Sequence, residues 1–230
     1  LGRYPPRTGI RGTSVGGSGG IPGEETTLAE ALRGAGYATA MVGKWHLGYA
    51  EQRHLPTSQG FDSWFGLPYS NDMIKPWVQT DEPLRLFEGT ADGGSERIPG
   101  EVDQTTLTTR YTARAVDFIR AQARAPSPQP FFLYLAYSMP HLPIRTAPQF
   151  RGQSKAGRYG DVVETIDWSV GRIVATLREL GIERNTLLVF TSDNGGSTAE
   201  NNDLKYPDDN CPNGRLPGNN HPLRGRKGSV

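Results

Sequence analysis

The chain has 230 residues, enough for one large domain with its own core. Lys and Arg number 25 against 24 Asp and Glu, a balance that argues against a polyanionic partner such as nucleic acid and leaves room only for a local cationic pocket. The single cysteine, Cys211, excludes a disulfide scaffold within the chain, and no apolar run is long enough to span a bilayer.

Residues 1–25 read as loop, with Gly16, Gly17, Gly19 and Gly20 around Ser18 and Pro5, Pro6 and Pro22 nearby. Thr27 to Glu30 matches a capping box, so a helix is expected from there to about Ala35, with Gly36 as a left-handed stop. Tyr37 to Val42 follows as a short strand. Residues 50–100 keep no sustained period and carry Pro56, Pro68, Pro76, Pro83 and Pro99, which predicts long surface loops. A helix is expected over Thr106 to Ala123, with Leu107, Tyr111, Ala115, Phe118 and Ile119 on one face. Phe131 to Tyr137 is apolar throughout, as in a strand buried on both faces. Val163, Ile166, Val170, Ile173, Val174, Leu177 and Leu180 keep a helical period over 162–180, and Thr186 to Thr191 then reads as a third apolar strand. From Gly195 onward the chain reads as loop.

Apolar strands alternating with amphipathic helices predict an α/β fold, a mostly parallel sheet covered on both faces. Ligands of such sheets bind beyond the carboxyl ends of the strands. Those ends deliver Gly43-Lys44-Trp45-His46, Met139-Pro140-His141 and Ser192-Asp193-Asn194-Gly195, while Lys227 stands near the C-terminus. Lys44 and Lys227 suit the oxygens of an anion. His46 and His141 can move protons near neutral pH. Asp193 and Asn194 offer the oxygens that hard divalent cations prefer, but two do not complete a shell of six or more. Singly, each element has an ordinary reading: Asp-Asn-Gly is a common turn, and a Lys or His after a strand is usually solvated. His54 and His221 read as surface residues, and Trp45 and Trp168 as packing. The three strand-end segments and Lys227 together describe a site for an oxyanion.

Gly36-Tyr37-Ala38-Thr39-Ala40-Met41-Val42-Gly43-Lys44-Trp45-His46-Leu47-Gly48 resembles a signature of the type I sulfatases nearly position for position. Gly2-Arg3-Tyr4-Pro5-Pro6-Arg7-Thr8-Gly9, Pro140-His141-Leu142-Pro143, Thr191-Ser192-Asp193-Asn194-Gly195 and Pro222-Leu223-Arg224-Gly225-Arg226-Lys227-Gly228-Ser229 are similar to further family segments, in the family's order. The branch of arylsulfatase A and N-acetylgalactosamine-6-sulfatase is the nearest in look.

The resemblance implies an alkaline-phosphatase-like α/β fold, a bound Ca²⁺ (Mg²⁺ being the lesser alternative) and a formylglycine nucleophile made from Cys or Ser by a maturation enzyme. It implies Asp193 and Asn194 as metal ligands, Lys44 and Lys227 on the sulfate, His46 on the formylglycine hydroxyl, His141 on the leaving group and Ser70 on a sulfate oxygen. The implied substrate is a sulfated small molecule or glycan, and the implied location is the periplasm, the lysosome or outside the cell. The family's Cys/Ser-x-Pro-x-Arg motif is absent, as is the Asp-Asp pair from the family's first strand that supplies further metal ligands, and Asn210-Cys211-Pro212-Asn213 does not replace the motif. Residues 1–230 are therefore expected to be part of a catalytic domain, inactive in isolation, with its nucleophile upstream. Two rivals stay open: a phosphoester or phosphonate hydrolase on the same scaffold, and a non-catalytic binder of sulfated glycans. Residues 50–100 and 197–221 are expected to grip the alcohol half of the substrate.

Overall fold

The computed structural model describes residues 1–9, 17–197, 200–201, 214–215 and 220–229. Cys211 and most of the loop 197–221 lie outside the described residues. One turn of helix, α1 (Pro5–Thr8), interrupts the expected N-terminal loop. Helix α2 (Leu28–Gly34) starts at Thr27, whose hydroxyl accepts from the Glu30 amide at 3.0 Å while Glu30 reaches back to the Thr27 amide at 2.7 Å. This is the capping box expected from the sequence, and it satisfies two amides that a helix start leaves orphaned. Gly36 closes the helix at φ 85°.

Strand β1 (Ala38–Gly43) runs parallel to β2 (Ser63–Gly66) on one side and to β5 (Phe131–Ala136) on the other. Beyond β2 lie β3 (Phe87–Thr90) and β4 (Gly94–Arg97), both antiparallel to their neighbours. The sheet therefore has five strands in the order β4-β3-β2-β1-β5 and is mixed rather than mostly parallel. A separate two-residue pair joins β6 (Glu200–Asn201) to β7 (Gly214–Arg215).

Two expected elements need correction. Residues 50–100 are not all loop, since they contribute β2, β3 and β4. Each is four residues long, too short for an alternating pattern to show above the surrounding prolines. Conversely, 186–191 forms no strand ladder. It follows a long helix and a 3₁₀ turn (Glu183–Asn185) as a run without a partner strand among the described residues, leaving Leu187 89%, Val189 74% and Phe190 71% exposed. Apolar composition marks a segment that fits a buried strand, but a ladder also needs a neighbour to bond to. Among the described residues strand β5 is paired on one side only, and its Tyr134 is 46% exposed.

Side chains alternate across β1. Met41 joins one core with Ile21, Ala29, Trp45, Phe61 and Trp64, beneath α2 and the 52–58 turns. Val42 faces the opposite core, with Phe65, Leu67, Leu84, Leu107 and Tyr111. Helix α3 (Leu107–Ala123) covers that second face and continues into a cluster with Ile173 and Leu177 of α4 (Gly157–Glu179). The result is three layers with the sheet in the middle. A hydroxyl chain ties them: Ser169 of α4 lies 2.6 Å from both Thr112 of α3 and Tyr137, just past β5. Trp45 is core, as its type suggested, and its indole donates to the His54 carbonyl at 2.8 Å. His54, expected on the surface, is instead buried at 6% exposure under Gly20 and Gly48.

Candidate active site

The site sits at the carboxyl ends of β1, β2 and β5. Gly43 ends β1 at φ 116°, and a Cβ placed there would lie 1.9 Å from the Ala136 carbonyl oxygen. Only glycine fits so close an approach with that backbone angle. The same carbonyl accepts the Lys44 amide at 2.8 Å, so the turn aims Lys44 off the sheet edge. Trp45 and His46 then donate their amides to Leu67 and Pro68, at 2.9 and 3.0 Å, which fastens this loop to the one after β2. His46 has φ 59°, the single non-glycine residue in the left-handed region among the described residues. Such a conformation persists only where neighbours hold it.

The loop after β2 carries Ser70, Asn71 and Asp72. Asn71 is fully buried and exchanges bonds with Gln104, its Nδ2 donating to Oε1 and its carbonyl accepting from Nε2, each at 3.1 Å. The Ser70 Oγ and the Asn71 Oδ1 are buried without a hydrogen-bond partner. Orphaned polar atoms of this kind are rare in folded proteins and mark places where a ligand or water belongs.

After β5, Ser138 bonds Tyr111 at 3.1 Å, and the chain turns through Pro140 to His141. His141 Nδ1 lies 2.6 Å from the Leu142 carbonyl oxygen. A carbonyl can only accept, so Nδ1 carries the proton and the neutral ring presents Nε2 as its bare nitrogen.

Asp193 and Asn194 follow the 186–191 run. The Asp193 carboxylate makes no hydrogen bond or ion pair among the described residues, and Asn194 uses its amide nitrogen on the Gly195 carbonyl at 2.9 Å, leaving Oδ1 unbonded. Asn220 staples this loop to the one bearing Lys227. Its Oδ1 accepts from the Gly196 amide and its Nδ2 donates to the Gly225 carbonyl, both at 2.8 Å, while the Lys227 amide donates to the Gly196 carbonyl at 3.0 Å.

Electrostatics link these loops. Burial lowers the Lys44 ammonium below its ordinary range, and the charge of Lys227 adds to this, while Asp193 and Asp72 oppose it. Burial likewise lowers His141; its bond to Leu142 and the charge of Asp72 oppose the shift, and Lys44 and Lys227 reinforce it. Lys44, His141, Asp193 and Lys227 thus feel one another's charges directly or through a shared neighbour, from four separate loops. Asp72 belongs with them, although the sequence reading gave it no role, and Asn220 positions two of the loops. Ser70 is placed beside this group through its neighbour Asp72, and His46 stands two residues after Lys44 in the same loop. Asp193 and Asn194 suit a hard cation by donor type, but no group of three or more His, Cys, Asp or Glu side chains gathers among the described residues.

A mixed sheet with helices on both faces, and Lys44, Asp72 and His141 on the loops that follow its strands, defines an α/β protein with a candidate ligand site at that edge. The sulfatase family model matches residues 1–229, and the chain belongs to that family. It is 44% identical over 184 residues to N-acetylgalactosamine-6-sulfatase of Mus musculus, covering 78% of this chain and 34% of that protein. With human arylsulfatase A it shares 37% over 210 residues, covering 86% of this chain and 41% of that protein. The chain therefore spans less than half the length of these relatives. Among solved structures, the PsFucS1 sulfatase from Pseudoalteromonas sp. matches with a TM-score of 0.75 and 30% identity, over 86% of this chain and 44% of that one. Such neighbours carry the alkaline-phosphatase-like fold, of which these residues form a part.

Proposed function

We propose that this site binds the sulfate group of a sulfate ester and contributes the binding and proton-transfer groups for its hydrolysis. The observation that carries the reading is the mutual electrostatic influence of half-buried Lys44 and His141 and exposed Lys227, which stand on separate loops. In that setting Lys44 and Lys227 stabilise charge on the peripheral sulfate oxygens, an effect that grows as water is excluded. The orphaned Ser70 hydroxyl is a ready donor to one of those oxygens.

His141 serves the leaving oxygen. Burial, reinforced by the charges of Lys44 and Lys227, favours its neutral form, with Nε2 bare. A bound sulfate offsets the ammonium charges, so with Asp72 nearby the ring takes up a proton at Nε2 and can pass it to the departing alkoxide as the S–O bond breaks. Asp193 and Asn194 are the residues that would hold a Ca²⁺, with further oxygens needed from elsewhere. Such an ion would polarise the sulfate as a Lewis acid. The attacking group in this reading is a formylglycine outside residues 1–230, and a converting enzyme is its maturation partner.

The test is turnover of an aryl sulfate by a polypeptide in which this chain is joined to a segment bearing the Cys-x-Pro-x-Arg motif. Activity lost in Lys44→Ala and retained in a distant surface variant supports the reading. Equal turnover by Lys44→Ala contradicts it.

A further inference from the structure

Asn71 stands where the loops of the site are tied together. It is fully buried on the loop after β2, between Ser70 and Asp72. Its Nδ2 donates to Gln104 Oε1 at 3.1 Å and, over a longer 3.4 Å, to the Pro143 carbonyl, while its own carbonyl accepts from Gln104 Nε2 at 3.1 Å. A carbonyl can only accept, so the Pro143 oxygen settles the amide's orientation: Nδ2 faces the loop after β5, and Oδ1 is the orphaned atom.

The bonds lead back to one anchor. Gln104 opens the 3₁₀ turn that runs into α3, where Leu107 and Tyr111 are fully buried. Tyr111 bonds Ser138, three residues before His141, and the Gln104–Asn71 clasp reaches Pro143, two residues after it. His141 is thus bracketed on both sides by bonds to the start of α3. The loop after β2 also receives the Trp45 and His46 amides at Leu67 and Pro68, which ties Lys44 to it from the other side. A buried amide with an unpaired acceptor carries the full desolvation penalty of that atom, whereas an apolar residue of the same shape would avoid it. The amide is therefore better explained by what its bonds hold in place than by the stability it adds.

We propose that Asn71, clasped by Gln104, is a positioning residue for the anion site: it acts through Asp72 and His141, fixing the carboxylate and the imidazole relative to each other and to Lys44. The inference rests on the sulfate-ester reading above for the task of His141, proton transfer to the leaving oxygen. The charged groups that act on His141 are Asp72 from the loop after β2, Lys44 from the loop after β1 and Lys227 near the C-terminus. Asp72 is the neighbour of Asn71 in sequence. Loosening the clasp admits water to the ring and lets Asp72 drift. Loss of burial then raises the His141 midpoint toward its ordinary value, and the influence of Asp72 fades.

The test is an NMR pH titration of the His141 ring in the 230-residue chain, its resonance identified by its absence in His141→Gln. Asn71→Leu keeps the approximate shape of the side chain and removes its bonds. Gln104→Met leaves Asn71 in place and opens the clasp from its half-buried side. Either variant is expected to raise the His141 midpoint by about 0.5 pH unit and to at least halve the shift that Asp72→Asn causes. Ile173→Val, in the cluster between α3 and α4, is expected to lower stability and to change neither. The proposal is overturned by a midpoint and an Asp72→Asn shift that keep their wild-type values in folded Asn71→Leu or Gln104→Met. An Asp72→Asn shift absent from the wild type, or equal changes in Ile173→Val, overturn it as well. None of these readings requires an anion, so inorganic sulfate titrated into the same samples keeps the two claims apart: a wild type that binds no sulfate sinks the sulfate reading and leaves the placement of His141 by Asn71 standing.

Discussion

The Ala136 carbonyl oxygen accepts the Lys44 amide at 2.8 Å and stands where a side chain on Gly43 would have to go, 1.9 Å from its ideal Cβ. One atom of β5 thus fixes both the end of β1 and the starting direction of its lysine. The lysine's placement depends on the absence of a single methyl group.

Gly43→Ala is expected to destabilise the chain by about 3 kcal/mol, since it adds a backbone clash to a strained φ. Gly171→Ala, on the exposed face of α4 with open space around it, is expected to stabilise by about 0.5–1 kcal/mol. Urea denaturation of both variants measures the contrast. Equal effects would show that the Gly43 contact is dispensable.

His141 should titrate below the ordinary imidazole value of 6.5, because burial opposes its charged form. Between the lowered folded value and 6.5 the unfolded chain holds the proton more firmly, so this group makes stability fall as pH drops through that window. Asp72→Asn removes a charge that raises the His141 value and should lower its midpoint further. NMR titration of the ring protons reads both effects, and sulfate at saturating concentration should move the midpoint upward.

Asp161, at 2% exposure, accepts the amides of Gly152, Gln153 and Ser154 at 2.8, 3.0 and 2.8 Å. Those bonds hold its carboxyl below the usual range, the Ser154 amide contributing most. Asp161→Ala strands three amides and should cost about 2–3 kcal/mol. The stability that Asp161 contributes is present above the unfolded carboxylate value and is lost as pH falls through the lowered folded one. The acid limb of a stability–pH profile should therefore flatten in the variant.

Leu187, Val189 and Phe190 form an apolar run open to solvent. The double variant Leu187→Glu, Val189→Lys should reduce binding of a hydrophobic dye to the isolated chain and shift stability by less than about 0.5 kcal/mol. A large loss of stability would mean that these side chains are packed in solution.

The elements legible in the sequence were those with strong local signals. Thr27 and Glu30 announced α2 because a capping box is satisfied within four residues. The apolar faces of α3 and α4 repeat for several turns, long enough for the period to show. The start of α4 at Gly157 was missed by five residues, because its first turn carries Arg158, Tyr159 and Gly160 rather than a recurring apolar face. β2, β3 and β4 were hidden because four-residue strands among prolines have no period to read, and 186–191 shows the converse, an apolar run with no ladder. In the site, Lys44, His141, Asp193 and Lys227 stand in recognisable segments. Asp72 and Asn220 do not: one is an acid in an ordinary turn and the other an amide in an Asn-rich loop, and only three-dimensional proximity gives them work.

The account depends most on a single anion pocket shared by four loops. Titration of inorganic sulfate into the ¹⁵N-labelled chain tests it directly. The amides of Lys44, His141, Asp193 and Lys227 are expected to shift together along one binding curve that weakens by about tenfold or more in Lys44→Ala. Shifts confined to one loop, following separate curves, or unchanged by Lys44→Ala would contradict the account.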